Sequence, residues 1–338
     1  MLEKIENEEE LVRQYHRINN SFSKTLIYHV GTEAGLFSEL NNMLIAVCYC
    51  YVKKIRFVLY ADDANFSGGK GWEDLFLPFC EHSHDPLNRH GNYRHRHHYR
   101  YKRVLLPNLL IRRVLAPALL KKRAGADYLT QDIFGLITSE EVLQHPIQWD
   151  LFGMNGVIGE EFVKLRHLCL RYQPETEEAV REKLGSLKLP KSYSSIQIRG
   201  GDKLAEYTSL FGAEYCMKAV REGTEDLFIF TDDYRHICEA GKYFSGRIYT
   251  LTGEKESGYY NEAFQQLPWE QKKEHLWKLL TMMEISMASR VHYGYSGSCT
   301  DDFLSKVREK EAYVDLQTNR NLRKKNMEYY LRKLFKFR

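Results

Sequence analysis

The second half of the chain alternates short apolar segments with amphipathic ones, and this alternation limits the fold more than any other feature. The apolar segments predict strands over 193–199, 227–231, 247–251 and 290–295. The segments between them have helical spacing, and they predict helices over 212–222, 233–243 and 269–287, with another that begins near Thr300. Strands joined by helices form parallel sheets, so this half is predicted to be a doubly wound α/β domain.

The first half begins in the same way. The pattern predicts a helix over 2–19, a strand over 24–30, a glycine loop, a helix over 36–51 and a strand over 55–60. Strand, loop, helix and strand make a βαβ unit. Residues 104–170 predict mainly helices. The expected fold class is therefore α/β, with two Rossmann-like halves and a mainly helical insertion in the N-terminal half.

Length and composition set the broad class of protein. A chain of 338 residues with 43% hydrophobic content predicts more than one domain. We expect an N-terminal α/β domain (1–175), a C-terminal Rossmann-like domain (176–310) and a basic amphipathic tail (311–338). The N-terminus has no signal-peptide core, and no apolar run approaches the roughly 20 residues of a membrane span. The seven cysteines are odd in number and lack a Cys-x-x-Cys pair, which favours reduced thiols and a cytoplasmic location.

Two basic segments stand out on a chain whose formal net charge is only +4. Residues 89–123 contain eleven Lys and Arg and no acidic residue, and residues 320–338 contain eight against a lone Glu328. Both are interleaved with apolar or aromatic residues. This pattern favours an anionic partner such as the inner face of a membrane, and a solvated basic surface is the equal alternative.

Four loops at predicted strand ends carry residues suited to chemistry. They are Arg199-Gly200-Gly201-Asp202-Lys203, Thr231-Asp232-Asp233, Tyr295-Ser296-Gly297-Ser298 and the loop from Gly31 to Gly35. Ligands of open α/β sheets bind at the carboxyl ends of strands. Arg199 supplies a permanent positive charge, and Ser296-Gly297-Ser298 precedes a helix N-terminus, so together they suit a pyrophosphate. Taken singly, each loop has a structural alternative: an Arg199–Asp202 pair, a helix N-cap at Asp233 or a plain turn.

Several other sites are disfavoured by the sequence. There is no Asp-x-Asp, no Gly-x-x-x-x-Gly-Lys-Ser/Thr, no Gly-x-Gly-x-x-Gly and no Gly-x-Ser-x-Gly. The histidines between residues 82 and 98 lack the spacing of metal ligands, and we expect them to form a solvated basic loop and no metal site. They are His82, His84, His90, His95, His97 and His98.

The strand-end segments resemble the motifs of GDP-fucose-dependent fucosyltransferases. Residues 195–203 resemble the family's His-Val-Arg-Arg-x-Asp-Lys, most closely that of the α1,6 group and the nodulation enzymes. The segments 35–42, 71–76, 231–233 and 285–296 resemble further motifs of that group in the same order. The α1,2 group shares the Arg-x-Asp strand end. Residues 81–165 resemble nothing in the family.

The chain departs from the family pattern at several positions. Gln197 stands where the family has histidine, and Gly200 stands where it has a second arginine. Glu206 lies one residue closer than the acidic residue that serves as base in the α1,6 group. The family's guanine-contacting aspartate falls at Thr281, with Glu284 nearby.

The resemblance implies an inverting, metal-independent, GT-B-like transferase that needs no cofactor beyond its donor. It would move L-fucose from GDP-fucose to a glycan or lipid-linked oligosaccharide. The expected catalytic residues are Arg199, Asp202, Lys203 and Glu206. The expected substrate-binding residues are His29, Gly35, Gln197, Thr231, Asp232, Asp233, Thr281, Ser296, Gly297 and Ser298.

Physical reasoning from the residues agrees with this mechanism, and two rival functions stay open. Without a metal ion, Arg199 must neutralise the departing diphosphate, and a carboxylate such as Glu206 must take the acceptor's proton. One rival is a non-catalytic sugar-nucleotide or polysaccharide-binding module with a decayed transferase site. The other is a nucleic-acid-binding protein that uses residues 89–103, which is disfavoured because no binding motif is present and the net charge is modest.

Overall fold

The protein divides into two compact units, Leu2–Thr176 and Glu177–Arg338. The computed structural model describes residues 8–31, 34–93, 111–201, 212–295 and 297–316, without the side chains of residues 112 and 113. Each unit has its own parallel sheet.

The N-terminal unit contains a four-stranded parallel sheet in the order β3-β2-β1-β4. Its strands are β1 (Lys24–His29), β2 (Ile55–Tyr60), β3 (Glu81–His82) and β4 (Tyr128–Leu129). The last four residues of β1 and of β2 are buried, as expected for central strands covered on both faces. Strand order reverses between β1 and β4, so this sheet is Rossmann-like.

Two long helices precede and follow β1. Helix Glu8–Asn20 is fixed by Asn19, whose amide donates to the Phe57 carbonyl at 2.9 Å and accepts from the Phe57 amide at 2.8 Å. Helix Leu36–Lys53 forms the crossover between β1 and β2 and buries most of its first three turns. It ends at Lys54, which has a left-handed φ of 56°.

Among the described residues, the other helices of this unit are short, except for the last, which has 13 residues. They are Asn88–Gly91, Ala116–Ala124, Thr130–Ile137, Glu140–Leu143, Ile158–Glu161, Arg166–Cys169 and Pro174–Ser186, which runs across the junction of the two units. A π-helical turn covers Ile111–Leu115, and 3-10 turns cover Gly71–Asp74, Asp150–Phe152 and Phe162–Leu165.

The insertion predicted to be mainly helical also contains a β-hairpin. Strands β5 (Pro146–Trp149) and β6 (Met154–Val157) pair antiparallel in a separate two-stranded sheet. Ile147 and Trp149 are buried while their neighbours Pro146 and Gln148 are exposed. This period of two is the strand signal, and the surrounding helical pattern obscured it.

The C-terminal unit contains a five-stranded parallel sheet in the order β11-β10-β7-β8-β9. Its strands are β7 (Ser194–Ile198), β8 (Asp226–Thr231), β9 (Arg247–Tyr249), β10 (Val291–Gly294) and β11 (Tyr313–Asp315). From β7 the sheet is built outward on both sides: β8 and then β9 lie on one side, and β10 and then β11 lie on the other. The order therefore reverses between β7 and β10, as in a doubly wound nucleotide-binding sheet.

Helices connect these strands. They are Ala213–Ala219, Tyr234–Ala240, Asn261–Gln266, Trp269–Ala288 and Cys299–Val307, with a 3-10 turn at Lys310–Ala312. The core between the sheet and its helices includes Ile196, Ile198, Leu227, Ile229 and Tyr293.

The prediction of two Rossmann-like α/β halves is confirmed. Strand β11 lies at residues that the sequence analysis placed in the tail, and the rest of that tail, from 317, lies outside the described residues. The seven cysteines all lie among the described residues, and none of them forms a disulfide bond. Among the described residues, no helix has the length and apolar character needed to cross a membrane.

Candidate functional site

Three of the predicted loops follow neighbouring strands of the C-terminal sheet. Strands β10, β7 and β8 lie side by side and parallel, so their carboxyl ends meet at one edge. The loops that begin at Tyr295, Arg199 and Asp232 follow these ends. The crevice at the β7–β10 reversal is where ligands of such sheets bind. Ser296, Asp202, Lys203 and Glu206 lie outside the described residues, so their predicted roles stay predictions.

Asp232 fixes the turn after β7. The Gly200 amide donates to Asp232 Oδ1 at 2.7 Å, and the Tyr259 amide donates to Oδ2 at 3.0 Å. One carboxylate therefore ties the glycine turn to the segment at 258–260. Hydrogen bonds to a charged acceptor are among the stronger ones in proteins. Asp232 was predicted to bind substrate, and the structure shows it binding the backbone of the Arg199 loop.

The glycines of this loop are required by close packing. A Cβ on Gly201, whose φ is +59°, would lie 2.1 Å from the Tyr259 carbonyl oxygen. A Cβ on Gly200 would lie 2.9 Å from Asp233 Cβ. In this conformation the position of Gly200 cannot hold the second arginine of the family motif, which gives that departure a steric cause.

Arg199 is the cation of this loop that the structure describes, since Lys203 lies outside the described residues. Its side chain is partly buried and makes no hydrogen bond or ion pair with any described residue. Its charge is near enough to Asp301 to lower that carboxyl's pKa, although burial has the larger, opposite effect. A guanidinium placed at the strand reversal, with no hydrogen-bond or ion-pair partner among the residues that the structure describes, is suited to bind a phosphate.

Gln197 lies beneath the loop after β10 and joins it to β7. The side chain is 3% exposed. In the amide orientation that satisfies every donor and acceptor, its nitrogen donates to Asp301 Oδ2 at 2.7 Å and its oxygen accepts from Thr300 Oγ1 at 2.8 Å. The nitrogen also lies 3.0 Å from Ser298 Oγ. The structure therefore uses the predicted substrate-binding groups of Gln197 and Ser298 to hold the loop.

Ser298 is the N-cap residue of helix Cys299–Val307, yet its hydroxyl makes no capping bond to the helix amides. Because these amides lack a side-chain cap from Ser298, the helix N-terminus keeps its capacity to bind an anion. Gly297 permits the tight turn, since a Cβ there would lie 2.5 Å from the Tyr295 ring.

A buried chain of polar residues supports this loop, and sequence reasoning missed it. Asp301 Oδ2 accepts from the Tyr295 amide at 2.7 Å, and Oδ1 lies 2.9 Å from His292 Nε2. His292 Nδ1 lies 2.7 Å from Ser195 Oγ. Burial raises the pKa of Asp301, and its hydrogen bond to His292 opposes that rise. All three side chains are essentially inaccessible, so this Ser–His–Asp chain positions the loop and offers no nucleophile.

Thr231 and Asp233 have local roles. The Asp233 amide donates to Thr231 Oγ1 at 3.2 Å, and Asp233 is the N-cap residue of helix Tyr234–Ala240. Burial alone would raise the pKa of Asp233, but hydrogen bonds from Arg235 outweigh it and lower the pKa. Asp233 is thus observed in its structural alternative, the helix N-cap.

Thr281 lies away from any surface. It is fully buried in helix Trp269–Ala288, and its hydroxyl donates to the Trp277 carbonyl at 2.7 Å. A ligand contact at Thr281, predicted from the resemblance, finds no exposed atom here.

The N-terminal unit has a strand-end cluster of its own around His29. His29 is the last residue of β1, and its amide donates to Thr130 Oγ1 at 2.6 Å. Its Nδ1 lies 2.5 Å from the Asn92 carbonyl oxygen, and its Nε2 lies 2.8 Å from Asp63 Oδ1. Both ring nitrogens are therefore engaged. Gly35 is the N-cap residue of helix Leu36–Lys53, with an ordinary φ of −67° and open space around its Cα.

The histidines were predicted to form a solvated basic loop, and this is wrong for His82. Its side chain is 8% exposed and its Nδ1 lies 3.2 Å from Glu73 Oε1. Strand β3 and the 3-10 turn Gly71–Asp74 bring the two together. His84 and His90 are exposed, and His95, His97 and His98 lie outside the described residues.

Comparison with known proteins finds similarity at the level of structure. No family model matches the chain, and no curated protein matches it. The structure of NodZ α-1,6-fucosyltransferase soaked with GDP-fucose is 11% identical and covers 84% of this chain and 92% of its own, with a TM-score of 0.48. POFUT1 in complex with GDP is 11% identical, with coverages of 84% and 94% and a TM-score of 0.43. An Arabidopsis thaliana FUT1 mutant in complex with GDP is 10% identical, with coverages of 90% and 73% and a TM-score of 0.43.

The first of these proteins is named an α-1,6-fucosyltransferase, the group whose motifs the sequence resembles. Neither an activity nor a ligand of this chain follows from likenesses at this level of identity and TM-score.

Proposed function

We propose that the protein is an inverting glycosyltransferase that needs no metal ion for transfer and moves L-fucose from GDP-fucose to a glycan or lipid-linked oligosaccharide. The observation that carries the proposal is the placement of Arg199. Its guanidinium stands at the β7–β10 reversal, without a partner among the described residues, beside a helix N-terminus that Ser298 leaves uncapped. The choice of sugar and nucleotide rests on the motif resemblance.

The chemistry required is the displacement of a diphosphate. The bond between the anomeric carbon and the diphosphate oxygen breaks through an oxocarbenium-like state as the acceptor hydroxyl attacks the opposite face. Negative charge grows on the departing GDP, and Arg199 with the helix N-terminus stabilises it. The acceptor's proton passes to a carboxylate, for which Glu206 is the candidate, with Asp202 and Lys203 orienting it.

The surroundings of Arg199 are built to hold it still. The Asp232 carboxylate accepts from the amides of Gly200 and Tyr259. Gln197 joins β7 to the loop after β10. Preorganised charge stabilises a transition state better than charge that must move into place. In this proposal Asp232 and Gln197 are positioning residues.

The test is the release of GDP from GDP-fucose by full-length protein, measured without added divalent ions and repeated across several GDP-sugars. We expect Arg199→Ala to lower kcat by at least about 100-fold, since one lost transition-state donor costs roughly 10²–10³. Arg199→Lys keeps the charge and should retain part of the rate. Arg221→Ala removes an exposed arginine of the same unit and is the matched control.

Near-normal turnover in a folded Arg199→Ala protein would contradict the proposal. Binding of GDP-sugars without any release would favour the non-catalytic module. Salt-sensitive binding of nucleic acid without GDP-sugar binding would favour the other rival.

The acceptor side of the proposal includes an anionic membrane surface. Large apolar side chains are about half exposed along the segment 111–124, at Ile111, Val114, Leu115 and Leu119. The segment continues into Lys121-Lys122-Arg123. Apolar residues beside basic ones are typical of helices that lie on anionic bilayers. A lipid-linked acceptor and a cytoplasmic, peripheral location accord with such a surface.

A further inference from the structure

A cluster in the N-terminal unit has the composition of a transition-metal site. Glu73, His82 and His84 each offer one ligand atom, and these atoms lie within 4.8 Å of one another. They come from two elements: Glu73 from the 3-10 turn Gly71–Asp74, and the histidines from β3 and the residues just after it.

His82 is the buried histidine of the cluster, and its two ring nitrogens have different surroundings. Its side chain is 92% buried, and its Nε2 is fully buried without a hydrogen-bond partner among the described residues. A buried polar atom without a partner is costly, and native structures contain few. Its Nδ1 lies 3.2 Å from Glu73 Oε1, which makes this nitrogen the one nearest to the carboxylate of the cluster.

A carboxylate stands behind His84. Asp62 Oδ1 lies 3.0 Å from His84 Nδ1, a contact that orients the ring and leaves Nε2 available to a cation. Histidines that bind metals nearly always give their other nitrogen to such a carboxylate. The His84 side chain is 61% exposed and Glu73 is 39% exposed, so an ion has a path from solvent.

We propose that Glu73, His82 and His84 bind one divalent transition cation of the zinc type, with Asp62 orienting His84. Two imidazoles and a carboxylate suit zinc, whereas magnesium and calcium prefer oxygen ligands alone. Water completes a tetrahedral set. Ligand bonds of about 2.0–2.1 Å require the side chains to draw together modestly, which rotation of the exposed Glu73 and His84 supplies.

The ion would tie the 3-10 turn to strand β3. That strand has two residues and lies at the edge of its sheet, so few backbone hydrogen bonds hold it. The four residues all belong to the N-terminal unit, whereas Arg199 belongs to the C-terminal unit. The proposal therefore does not rest on the proposed fucose transfer.

The experiment is zinc binding by full-length protein that has been stripped with a chelator and dialysed. Competition with a chromogenic chelator gives stoichiometry and affinity, and Co²⁺ absorption reports tetrahedral coordination. We expect one tight equivalent per chain and intense visible Co²⁺ bands. His82→Ala and Glu73→Gln should abolish the tight equivalent, and Asp62→Ala should weaken it about 10–100-fold.

Controls separate this cluster from the other histidines of the same stretch. His90→Ala, at an exposed position, and a triple change of His95, His97 and His98 to Ala should both leave the tight equivalent unchanged. If His82→Ala does not fold, His84→Ala replaces it, because that ring is mostly exposed. A wild-type protein with no tight equivalent overturns the proposal, and so does binding that is lost only in the triple variant.

Discussion

Replacing Gly201 by alanine tests whether the turn after β7 is held by close packing. Two costs arise at this position. The first is conformational: a left-handed φ of +59° costs an alanine roughly 1–2 kcal/mol. Gly125 has a φ of +60° and nothing within 4 Å of its added Cβ, so Gly125→Ala incurs the first cost alone.

The second cost is steric and applies to Gly201. The new Cβ would lie 2.1 Å from the Tyr259 carbonyl oxygen, so that oxygen must withdraw by about 1.3 Å to reach the 3.4 Å of ordinary contact. The Tyr259 amide, now 3.0 Å from Asp232 Oδ2, would move beyond hydrogen-bonding distance. A hydrogen bond to a charged group contributes about 1.5–3 kcal/mol, so we expect a total of roughly 2.5–5 kcal/mol for Gly201→Ala against about 1–2 kcal/mol for Gly125→Ala.

Two assays check this. Urea unfolding followed by circular dichroism gives the unfolding free energy of each variant. The second assay is kcat/KM for GDP release, which should fall in Gly201→Ala, because Arg199 lies two residues away, and stay unchanged in Gly125→Ala. If the two variants lose equal stability and both keep full turnover, the turn is not held as described.

Two further predictions concern the N-terminal unit. Burial lowers the pKa of His167 to about 4 from 6.5, so the unfolded chain takes up a proton first, and the unfolding free energy should fall between pH 6.5 and about 4. Because the ring is only half-buried, the loss of unfolding free energy should be roughly 1–2 kcal/mol. His167→Gln should flatten the dependence of the unfolding free energy on pH, while the exposed-site change His90→Gln should leave it unchanged. An unaltered pH dependence in His167→Gln would refute the assignment of this effect to His167. For the membrane surface, the double change Val114→Asp and Leu115→Asp should weaken cosedimentation with anionic vesicles at least about 10-fold, while Leu136→Asp, at another exposed leucine, should not. Equal binding by both variants would argue against docking through this segment.

Most regular elements of the chain follow from local pattern. The strand over Ile55–Tyr60 has the predicted bounds, and helix Trp269–Ala288 ends one residue beyond its predicted end. Strands β5 and β6, with four residues each, were missed within a segment predicted to be mainly helical. The other strands that were missed are shorter: β3 and β4 have two residues each, and β11 has three. Segments of that length carry too few residues to show a period, and pairing with a longer neighbour is what makes them strands.

The site was predicted less completely than the fold. The sequence placed Arg199, Asp232 and Ser298 at strand ends, and it predicted ligand contacts for all three. The structure shows that Asp232 binds an amide 32 residues away and that Ser298 contacts Gln197. A sequence does not show whether a polar side chain at a strand end contacts a ligand or supports a loop.

The sequence by itself determined the alternation of strands and helices, the two parallel sheets and the set of polar loops at strand ends, because each depends on spacing among near neighbours. Only the tertiary structure decided that β7 and β10 are adjacent, which puts Arg199 at the reversal of the sheet. It also decided the chain from Asp301 through His292 to Ser195, and the meeting of Glu73 with His82. Ser195 and His292 are 97 positions apart in sequence, whereas the other two contacts span nine positions each. In all three the geometry depends on how buried elements pack, which no local pattern encodes.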